Sequence, residues 1–312
     1  MEINNVVVIG GGIAAHTAAL YTSRASLNPI VISGIEPDQL SLTTKVENYP
    51  GFPEGILGPE LVENCKKQAI KFGAKYIEEN AESFSKNNKL YEIKANNQIF
   101  KARTVIIATG ASARTLKIPG EDKYFGRGIS TCAVCDAALF RNKEVIVIGG
   151  GDSAMEESLA LHKFANKITI IHRRDKFRAS KIMQDRIFKL SDKISIKWNS
   201  IVTEVLGDGK FVTSVKIKDI NANNESEMKC QGVFYAIGHN PNTKIFNNLI
   251  ELDEEGYIKT DKRVNTNLPG VFAAGDVQDR IYKQAITSAG AGCKAAIEAE
   301  KYIENLKAAG GY

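Results

Sequence analysis

The chain has 312 residues, a formal net charge of +5, and a composition that is 43% hydrophobic and 25% charged. This length allows two domains of ordinary size, and the modest charge, with basic residues scattered among acids, argues against a nucleic-acid partner. No apolar run reaches the length of a membrane-spanning helix, and residues 1–5 lead directly into a strand pattern without a signal or transit peptide. We therefore expect a cytoplasmic protein with no membrane association.

The first predicted unit begins with a short buried strand at residues 6–9, followed by Gly-Gly-Gly-Ile-Ala-Ala at 10–15 and a helix to about residue 26. This is a G-x-G-x-x-A fingerprint. Its glycines permit a tight turn and close approach of a pyrophosphate, whose charge faces the start of the helix. The next strand, residues 29–32, ends at Ser33 and Gly34 instead of the acidic residue that usually binds a ribose.

The segment at residues 39–53 is polar and rich in turn residues, and by itself it predicts an ordinary surface loop. A helix is expected at residues 58–72. The buried strand at 104–108 ends in Thr109 and Gly110, a turn of small residues that lets a nucleotide approach closely.

Cys132 and Cys135 form a Cys-x-x-Cys pair between two glycine-rich loops. Their spacing at a predicted helix start allows a disulfide, and the positive end of the helix stabilises a thiolate. Asp136 follows directly and is a candidate acid/base. A structural zinc site would need four ligands, and an inert buried pair is the other alternative. The remaining cysteines are solitary and are expected to be packing residues: Cys65, Cys230 and Cys293.

A second complete dinucleotide unit follows the dithiol, with a strand at residues 144–148, Gly-Gly-Gly-Asp-Ser-Ala at 149–154, a helix to about 164 and a strand at 168–171. In this unit the second strand ends in basic residues where an acid would select an unphosphorylated ribose. Guanidinium groups at that position favour a 2′-phosphate, so we expect NADPH and not NADH. A solvated basic turn is the alternative.

The last section contains a predicted strand that ends in Gly275 and Asp276, followed by a helix from about residue 284 to 306. An aspartate after such a turn is suited to a ribityl hydroxyl or to capping a helix. Two dinucleotide sites thus flank one dithiol. A flavin is the cofactor that accepts a hydride and then reduces sulfur, so the inferred relay runs from NADPH through FAD to the disulfide.

These motifs together resemble the low-molecular-weight thioredoxin reductases over essentially the whole chain. The resemblance rests on residues 10–15, 39–40, 46–51, 108–114, 132–136, 149–157, 172–178, 275–277 and 284–290. It implies an α/β fold with two Rossmann-like dinucleotide-binding domains, the NADPH domain being inserted into the FAD domain. The implied boundaries are 1–114 and 245–312 for the FAD domain and 115–244 for the NADPH domain that carries the dithiol.

The resemblance also implies a homodimer that reduces oxidised thioredoxin, contributes to the removal of superoxide radicals, and rotates its NADPH domain between half-reactions. By position, Cys135 is the sulfur that faces the flavin, Cys132 attacks thioredoxin, and Asp136 handles the proton. The implied residues around the first loop are Gly10, Gly11, Gly12, Ile13, Ala14, Ser33, Gly34, Gln39, Asn48, Thr109, Gly110, Gly275, Asp276, Lys283, Gln284 and Ala285. Those around the second loop are Gly149, Gly151, Asp152, Ser153, Ala154, His172, Arg173, Arg174 and Arg178, and no metal is expected.

The sequence departs from the family pattern at two chemically relevant positions. Val134 lacks the hydroxyl of the threonine that usually lies between the cysteines. Lys283 replaces an arginine, so a compact ammonium group stands where the family usually has a planar guanidinium group with paired donors. The alternative functions are a flavin-dependent dithiol oxidase, which the arginine cluster disfavours, and a reductase of another small dithiol protein. A nucleotide-sensing module, in which the cysteines would be dispensable, belongs to a different class.

Overall fold

The computed structural model describes residues 2–43, 45–246 and 249–310. The chain divides into two compact units: unit 1 comprises Met1–Ser112 and Asn240–Tyr312, and unit 2 comprises Ala113–His239. Unit 2 is therefore an insertion within unit 1. In the described ranges, none of the helices is both long enough and apolar enough to cross a membrane.

Helices separate groups of consecutive strands along the chain. The strands are β1 (Ile3–Ile9), β2 (Ile30–Ile32), β3 (Lys45–Val46), β4 (Ile56–Leu57), β5 (Lys75–Ile77), β6 (Ala81–Asn87), β7 (Leu90–Ala95), β8 (Gln98–Ile107), β9 (Ala111–Ala113), β10 (Ile129–Ser130), β11 (Glu144–Gly149), β12 (Lys167–Ile171), β13 (Ile194–Lys197), β14 (Ser200–Gly207), β15 (Val212–Asp219), β16 (Glu225–Lys229), β17 (Gly232–Ala236), β18 (His239–Pro241) and β19 (Val271–Ala273). The helices are α1 (Ile13–Arg24), α2 (Gly58–Lys71), α3 (Glu121–Tyr124), α4 (Ala133–Asp136), α5 (Asp152–His162), α6 (Lys181–Phe188) and α7 (Ala285–Ala308).

The main sheet of unit 1 has the order β5-β2-β1-β8-β7-β6, with β19 also paired to β8. Strand β1 lies between two parallel neighbours and is buried on both faces, which explains its continuous apolar run. Its side chains alternate between two cores: Val6 and Val8 belong to one cluster, and Val7 and Ile9 to the other. Because β1 is central, the loop after it lies at the middle of the sheet edge.

Helices α1 and α7 pack closely against each other in unit 1, and small residues make this possible. Ala15, Ala18 and Ala19 of α1 are fully buried. A Cβ atom added at Gly292 of α7 would collide with the carbonyl oxygen of Ala14. The contact between these helices therefore depends on backbone proximity, and it holds the start of α1 in place.

Unit 2 repeats the arrangement with a parallel sheet of order β10-β17-β11-β12-β13 and a separate antiparallel sheet of order β14-β15-β16. Strand β11 is central, and its residues again alternate between two cores, Val145 and Val147 in one and Ile146 and Ile148 in the other. The glycine-rich loop after β11 thus occupies the same place in unit 2 as the loop after β1 in unit 1. The predicted α/β class is confirmed.

Two local predictions need correction. The segment at 39–53 is not purely a loop, because Lys45–Val46 pairs with Ile56–Leu57 and buries Val46 and Ile56 in a small apolar cluster; Thr44 of this segment lies outside the described residues. The helix expected at the dithiol is a single turn, α4, followed by a 3-10 turn at Ala137–Phe140.

Candidate redox centre and dinucleotide sites

Cys132 and Cys135 are joined in a disulfide with their Cα atoms 5.3 Å apart, within the normal range for such a bond. Cys132 is the N-cap of α4, and its sulfur accepts a hydrogen bond of 3.2 Å from the Cys135 N–H. Val134, between the cysteines, is 68% exposed. The pair therefore has the geometry and the access that thiol–disulfide exchange requires.

Asp136 lies at the end of the same turn and is connected to it through Ser130. The Ser130 hydroxyl donates to Asp136 Oδ2 at 2.7 Å and accepts from the Cys132 N–H at 3.0 Å. Burial raises the pKa of Asp136, and the hydrogen bond from Ser130 offsets part of this rise. Asp136 thus holds a proton more readily than an ordinary aspartate, as an acid/base beside the sulfurs should.

A second carboxyl group, that of Glu157 on α5, reaches the other side of the dithiol turn. It accepts a hydrogen bond from the Ala133 N–H. Burial raises the pKa of Glu157 to about 7, with the Ala133 N–H lowering it and the charges of Asp136 and Glu156 raising it further. Two carboxyls therefore flank the turn that carries the disulfide.

The loop after β1 has the features of a pyrophosphate site. Gly10 has φ +135°, and a Cβ there would collide with the Ala108 carbonyl oxygen, so only glycine fits at this close approach of backbone segments. Gly12 caps α1 without a side-chain hydrogen bond, which leaves the first N–H groups of the helix for an anion. The loop therefore fits the diphosphate of FAD.

Residues far apart in sequence meet on the same unit near this loop. Asn48 donates to the Oε1 atom of Gln284, the N-cap of α7, at 3.2 Å. Asp276 accepts from the Ser288 hydroxyl at 2.9 Å, and burial raises the pKa of Asp276 to about 6. A largely buried carboxyl with one hydroxyl partner is suited to binding further hydroxyl groups, such as those of a ribityl chain.

The other predicted residues of the first site lie on the same unit in different settings. Ser33 and Gly34 follow β2, and the Ser33 hydroxyl donates to the Ile77 carbonyl at 3.3 Å. Gln39 is exposed. Lys283 has its Nζ atom 5.5 Å from the centre of the Tyr257 ring. The remaining members lie in the loop after β1, at the start of a helix or turn, or shortly after β8: Gly11, Ile13, Ala14, Thr109, Gly110, Gly275 and Ala285.

The loop after β11 in unit 2 is braced by the basic segment that follows β12. The Arg178 N–H donates to the Gly150 carbonyl at 2.7 Å. Asp152 accepts from the Ser180 N–H at 2.8 Å and from its hydroxyl at 2.9 Å. Gly151 caps α5 without a side-chain hydrogen bond. These hydrogen bonds hold the predicted basic segment against the start of α5, whose first N–H groups have no side-chain cap.

The arginines of this segment are available for an anion. Arg173, Arg174 and Arg178 are exposed and form no ion pair with any described residue. Burial lowers the pKa of His172, and the positive charges of Arg174 and Arg173 lower it further. Ser153 and Ala154 lie in the first turn of α5, and Gly149 ends β11. The arrangement fits the diphosphate and 2′-phosphate of NADPH.

Comparison with known proteins gives consistent matches over nearly the whole chain. A family model described as pyridine nucleotide-disulphide oxidoreductase matches residues 4–292. The thioredoxin reductase of Rickettsia conorii is 48% identical over 304 residues, covering 96% of this chain and 97% of that protein. The chain belongs to the thioredoxin reductase family.

Solved structures of thioredoxin reductases match the chain as well. The crystal structure from Streptococcus pyogenes has a TM-score of 0.93 at 39% identity, covering 97% of this chain and 99% of that one. The Lactococcus lactis thioredoxin reductase in its FR conformation has a TM-score of 0.66 at 41% identity, covering 97% and 100%. The predicted fold of two Rossmann-like domains, one inserted into the other, is confirmed.

Membership in the thioredoxin reductase family also identifies the chain as an NADPH-dependent oxidoreductase with FAD and NADPH as cofactors. The roles of the individual residues stay predictions. Ser130 and Glu157 were not among the predicted site residues. A signal for Glu157 exists in the sequence: it lies on the apolar face of α5 with Ala154, Ser158 and Leu161, which are all buried, and a carboxyl on such a face requires a partner.

Proposed function

We propose that this chain is an NADPH-dependent thioredoxin-disulfide reductase. The observation that carries this proposal is the Cys132–Cys135 disulfide, on the same inserted unit as a glycine loop whose neighbouring arginines form no ion pair with any described residue. When bound, NADPH supplies a hydride and FAD accepts it and reduces a disulfide. Thioredoxin, with a potential of roughly −270 mV, is a suitable final acceptor.

The two units divide the cofactors between them in this proposal. Residues 1–114 and 245–312 hold FAD, with Asp276 and the uncapped start of α1 as principal contacts. Residues 115–244 hold NADPH at the uncapped start of α5, with Arg173, Arg174 and Arg178 on its 2′-phosphate. Support comes from the anion-binding character of both helix starts and from the absence of ion pairs at these arginines within the described part of the chain.

The sulfurs have distinct tasks in the exchange with thioredoxin. The Cys132 thiolate attacks one sulfur of the thioredoxin disulfide and forms a mixed disulfide, while the other thioredoxin sulfur leaves. Cys135 loses its proton and attacks Cys132 Sγ, which releases the second thioredoxin sulfur and restores the Cys132–Cys135 bond. Two electrons and one proton pass to thioredoxin, and Asp136 carries the proton. The Cys135 N–H, which contacts Cys132 Sγ, is placed to stabilise the thiolate.

The dithiol must react in turn with a cofactor inside the protein and with a second protein, so the proposal includes rotation of unit 2 between half-reactions. Two thioredoxin reductase structures with 39% and 41% identity to this chain give very different TM-scores, 0.93 and 0.66. Such a spread at equal similarity is expected of a family with more than one arrangement. The proposal further includes a cytoplasmic homodimer that contributes, through reduced thioredoxin, to the removal of superoxide radicals; the family resemblance supports these points.

The test is NADPH consumption by the purified flavoprotein with and without oxidised thioredoxin, for the native chain and for Cys135→Ser. We expect thioredoxin-dependent turnover to fall about 1,000-fold or more in the variant, because the sulfur that resolves the mixed disulfide is missing. Reduction of the flavin by NADPH should persist. Cys293→Ser is the matched control and should keep full activity, since Cys293 is a free cysteine on α7 of unit 1, away from the dithiol unit.

Two outcomes would contradict the proposed function, each in a different part. If NADPH bleaches the flavin and thioredoxin adds no turnover, thioredoxin is the wrong acceptor, and another small dithiol protein or oxygen takes its place. If Cys135→Ser retains full thioredoxin-dependent turnover, the dithiol has no part in the reaction.

A further inference from the structure

The redox turn is held from two sides by carboxyl groups that come from different elements. On one side, Asp136 is linked through Ser130 to the Cys132 N–H. On the other, Glu157 accepts from the Ala133 N–H, a donor at the start of α4 that has no partner within its own helix. The backbone on each side of the Cys132 sulfur is therefore fixed by one of the two carboxyls.

Few charges act on Glu157. Besides α4, the elements packed on α5 are α6, β11, β12, β17 and the 3-10 turn after α4. Among the described residues, the charged groups that influence the Glu157 carboxyl are Asp136, on the dithiol turn, and Glu156, its exposed neighbour on α5. All of them are negative when ionised. No cation compensates the charge of Glu157 within the described residues, so the pair of carboxyls resists double ionisation.

Resting on the thioredoxin reductase function above, we propose that Glu157 is a positioning residue of the redox centre, which fixes the Cys132 turn and strengthens Asp136 as the base that exchanges a proton with the sulfurs. The family-derived assignment gives the proton to Asp136 alone. Here the acid/base unit is a pair of carboxyls, and Glu157 acts through Asp136 and through the Ala133 amide without touching the reacting sulfur atoms.

The proton balance of the exchange step explains the need for such a pair. The reduced centre holds one thiolate, Cys132, and one thiol, Cys135. When Cys135 attacks the mixed disulfide, its proton moves to Asp136 and then to the departing thioredoxin sulfur, while the electron pair of the dithiol passes to thioredoxin. A neighbouring carboxylate at Glu157 makes Asp136 a stronger base for accepting this proton, because it disfavours a second negative charge.

A purely structural role for Glu157 is the competing explanation. A glutamate that only caps the Ala133 N–H would stabilise the turn and leave the ionisation of the sulfurs unchanged. The substitution Glu157→Gln separates the two roles, because the amide oxygen still accepts from the Ala133 N–H while the negative charge is removed.

The experiment measures the alkylation rate of Cys132 by iodoacetamide between pH 5 and 9, on the full flavoprotein reduced with dithiothreitol and desalted without oxygen. Mass spectrometry of the peptide follows this cysteine separately from the others. In the native chain we expect the rate to rise with pH and to show an additional inflection near the Glu157 pKa of about 7. A profile with a single ionisation and no inflection there would overturn the proposal without any variant.

In Glu157→Gln we expect the inflection near pH 7 to disappear, because the glutamine does not ionise; Asp136 then titrates alone and at lower pH, without a second negative charge beside it. The thiolate also forms more easily, so alkylation at pH 7 should be about 3- to 10-fold faster, corresponding to a pKa change of the thiol of about half to one unit. Glu157→Asp retains a carboxyl and should keep an inflection close to the native one.

Asp192→Asn is the matched control. It removes a carboxylate at an exposed site of unit 2 that does not act on the Glu157 carboxyl, so its profile should coincide with that of the native chain. If Glu157→Gln gives the same profile as Asp192→Asn, Glu157 is only structural. Alkylation measures the reactivity of the Cys132 sulfur directly, so its result does not depend on whether thioredoxin is the acceptor. If only the proposed function is wrong, the profile of Glu157→Gln will still differ from that of the native chain, and thioredoxin-dependent turnover will be absent.

Discussion

At the scale of single residues, the chemistry depends on charged groups that form no ion pair with another described residue. Asp276 is largely buried with a hydroxyl as its hydrogen-bond partner, and Glu157 is bonded to a backbone amide. The arginines of the second site are exposed and outside every ion pair of the described residues. Groups in such a state are suited to binding or proton transfer, since they can still take up a further partner or a proton.

The arginine cluster gives a prediction about cofactor selection. Replacing both Arg173 and Arg174 by Ala should raise KM for NADPH about 10- to 100-fold, since a hydrogen bond to a charged group contributes about 1.5–3 kcal/mol. KM for NADH should change little, because NADH has no 2′-phosphate. Steady-state kinetics with each nucleotide make the comparison, and Arg186→Ala on α6 is a control that removes an exposed arginine elsewhere in unit 2. An equal loss with NADPH and NADH would show that the arginines do not read the phosphate.

At the scale of elements, the contact between α1 and α7 decides where the first dinucleotide loop lies. The start of α1 is fixed because the backbone of α7 approaches Ala14 at Gly292, where no side chain fits. The same helix α7 begins at the Gln284 cap that accepts from Asn48. One helix thus positions two parts of the proposed FAD site.

Two glycines of α7 provide a matched test of this packing. Gly292→Ala should lower the free energy of unfolding of unit 1 by about 1–3 kcal/mol, the usual cost of overpacking, and should weaken FAD retention. Gly290→Ala adds the same methyl group where nothing lies within 4 Å, so it should be neutral or stabilise by up to about 1 kcal/mol through helix propensity. Thermal unfolding and the flavin content after gel filtration measure both effects. Equal behaviour of the two variants would contradict a tight contact at Gly292.

At the scale of the whole molecule, the insertion of one unit into the other leaves two chain crossings, after Ser112 and after His239. A unit connected by two short segments can move as a body while its own sheet stays intact. The proposed rotation uses this property, because each unit has its own core and its own dinucleotide loop.

The rotation predicts a change in distance between the units during turnover. Dyes introduced through non-natural amino acids at exposed Lys86 in unit 1 and Asn223 in unit 2 should show two populations of energy transfer whose ratio shifts when NADPH is added. A dye pair within unit 2, at Lys181 and Asn223, is the control and should show one constant population. A single unchanged population for the first pair throughout turnover would argue against rotation.

Much of this molecule is determined by local sequence. Strands β1 and β11 follow from short apolar runs, and the loops after them follow from glycine spacing, because both patterns reflect the local backbone and the faces of a buried sheet. The Cys-x-x-Cys spacing determined the disulfide in the same way, since two intervening residues bring the sulfurs within reach.

Contacts between distant residues were decided only by the tertiary structure. Asn48 and Gln284, 236 positions apart, meet because α7 folds back over unit 1. The polar segment around Asn48 carries no local pattern that predicts its short strand pair. Glu157 reaches Ala133 because α5 packs beside α4. No local pattern specifies such pairs, since burial of apolar helix faces sets the angles and distances at which their polar residues meet.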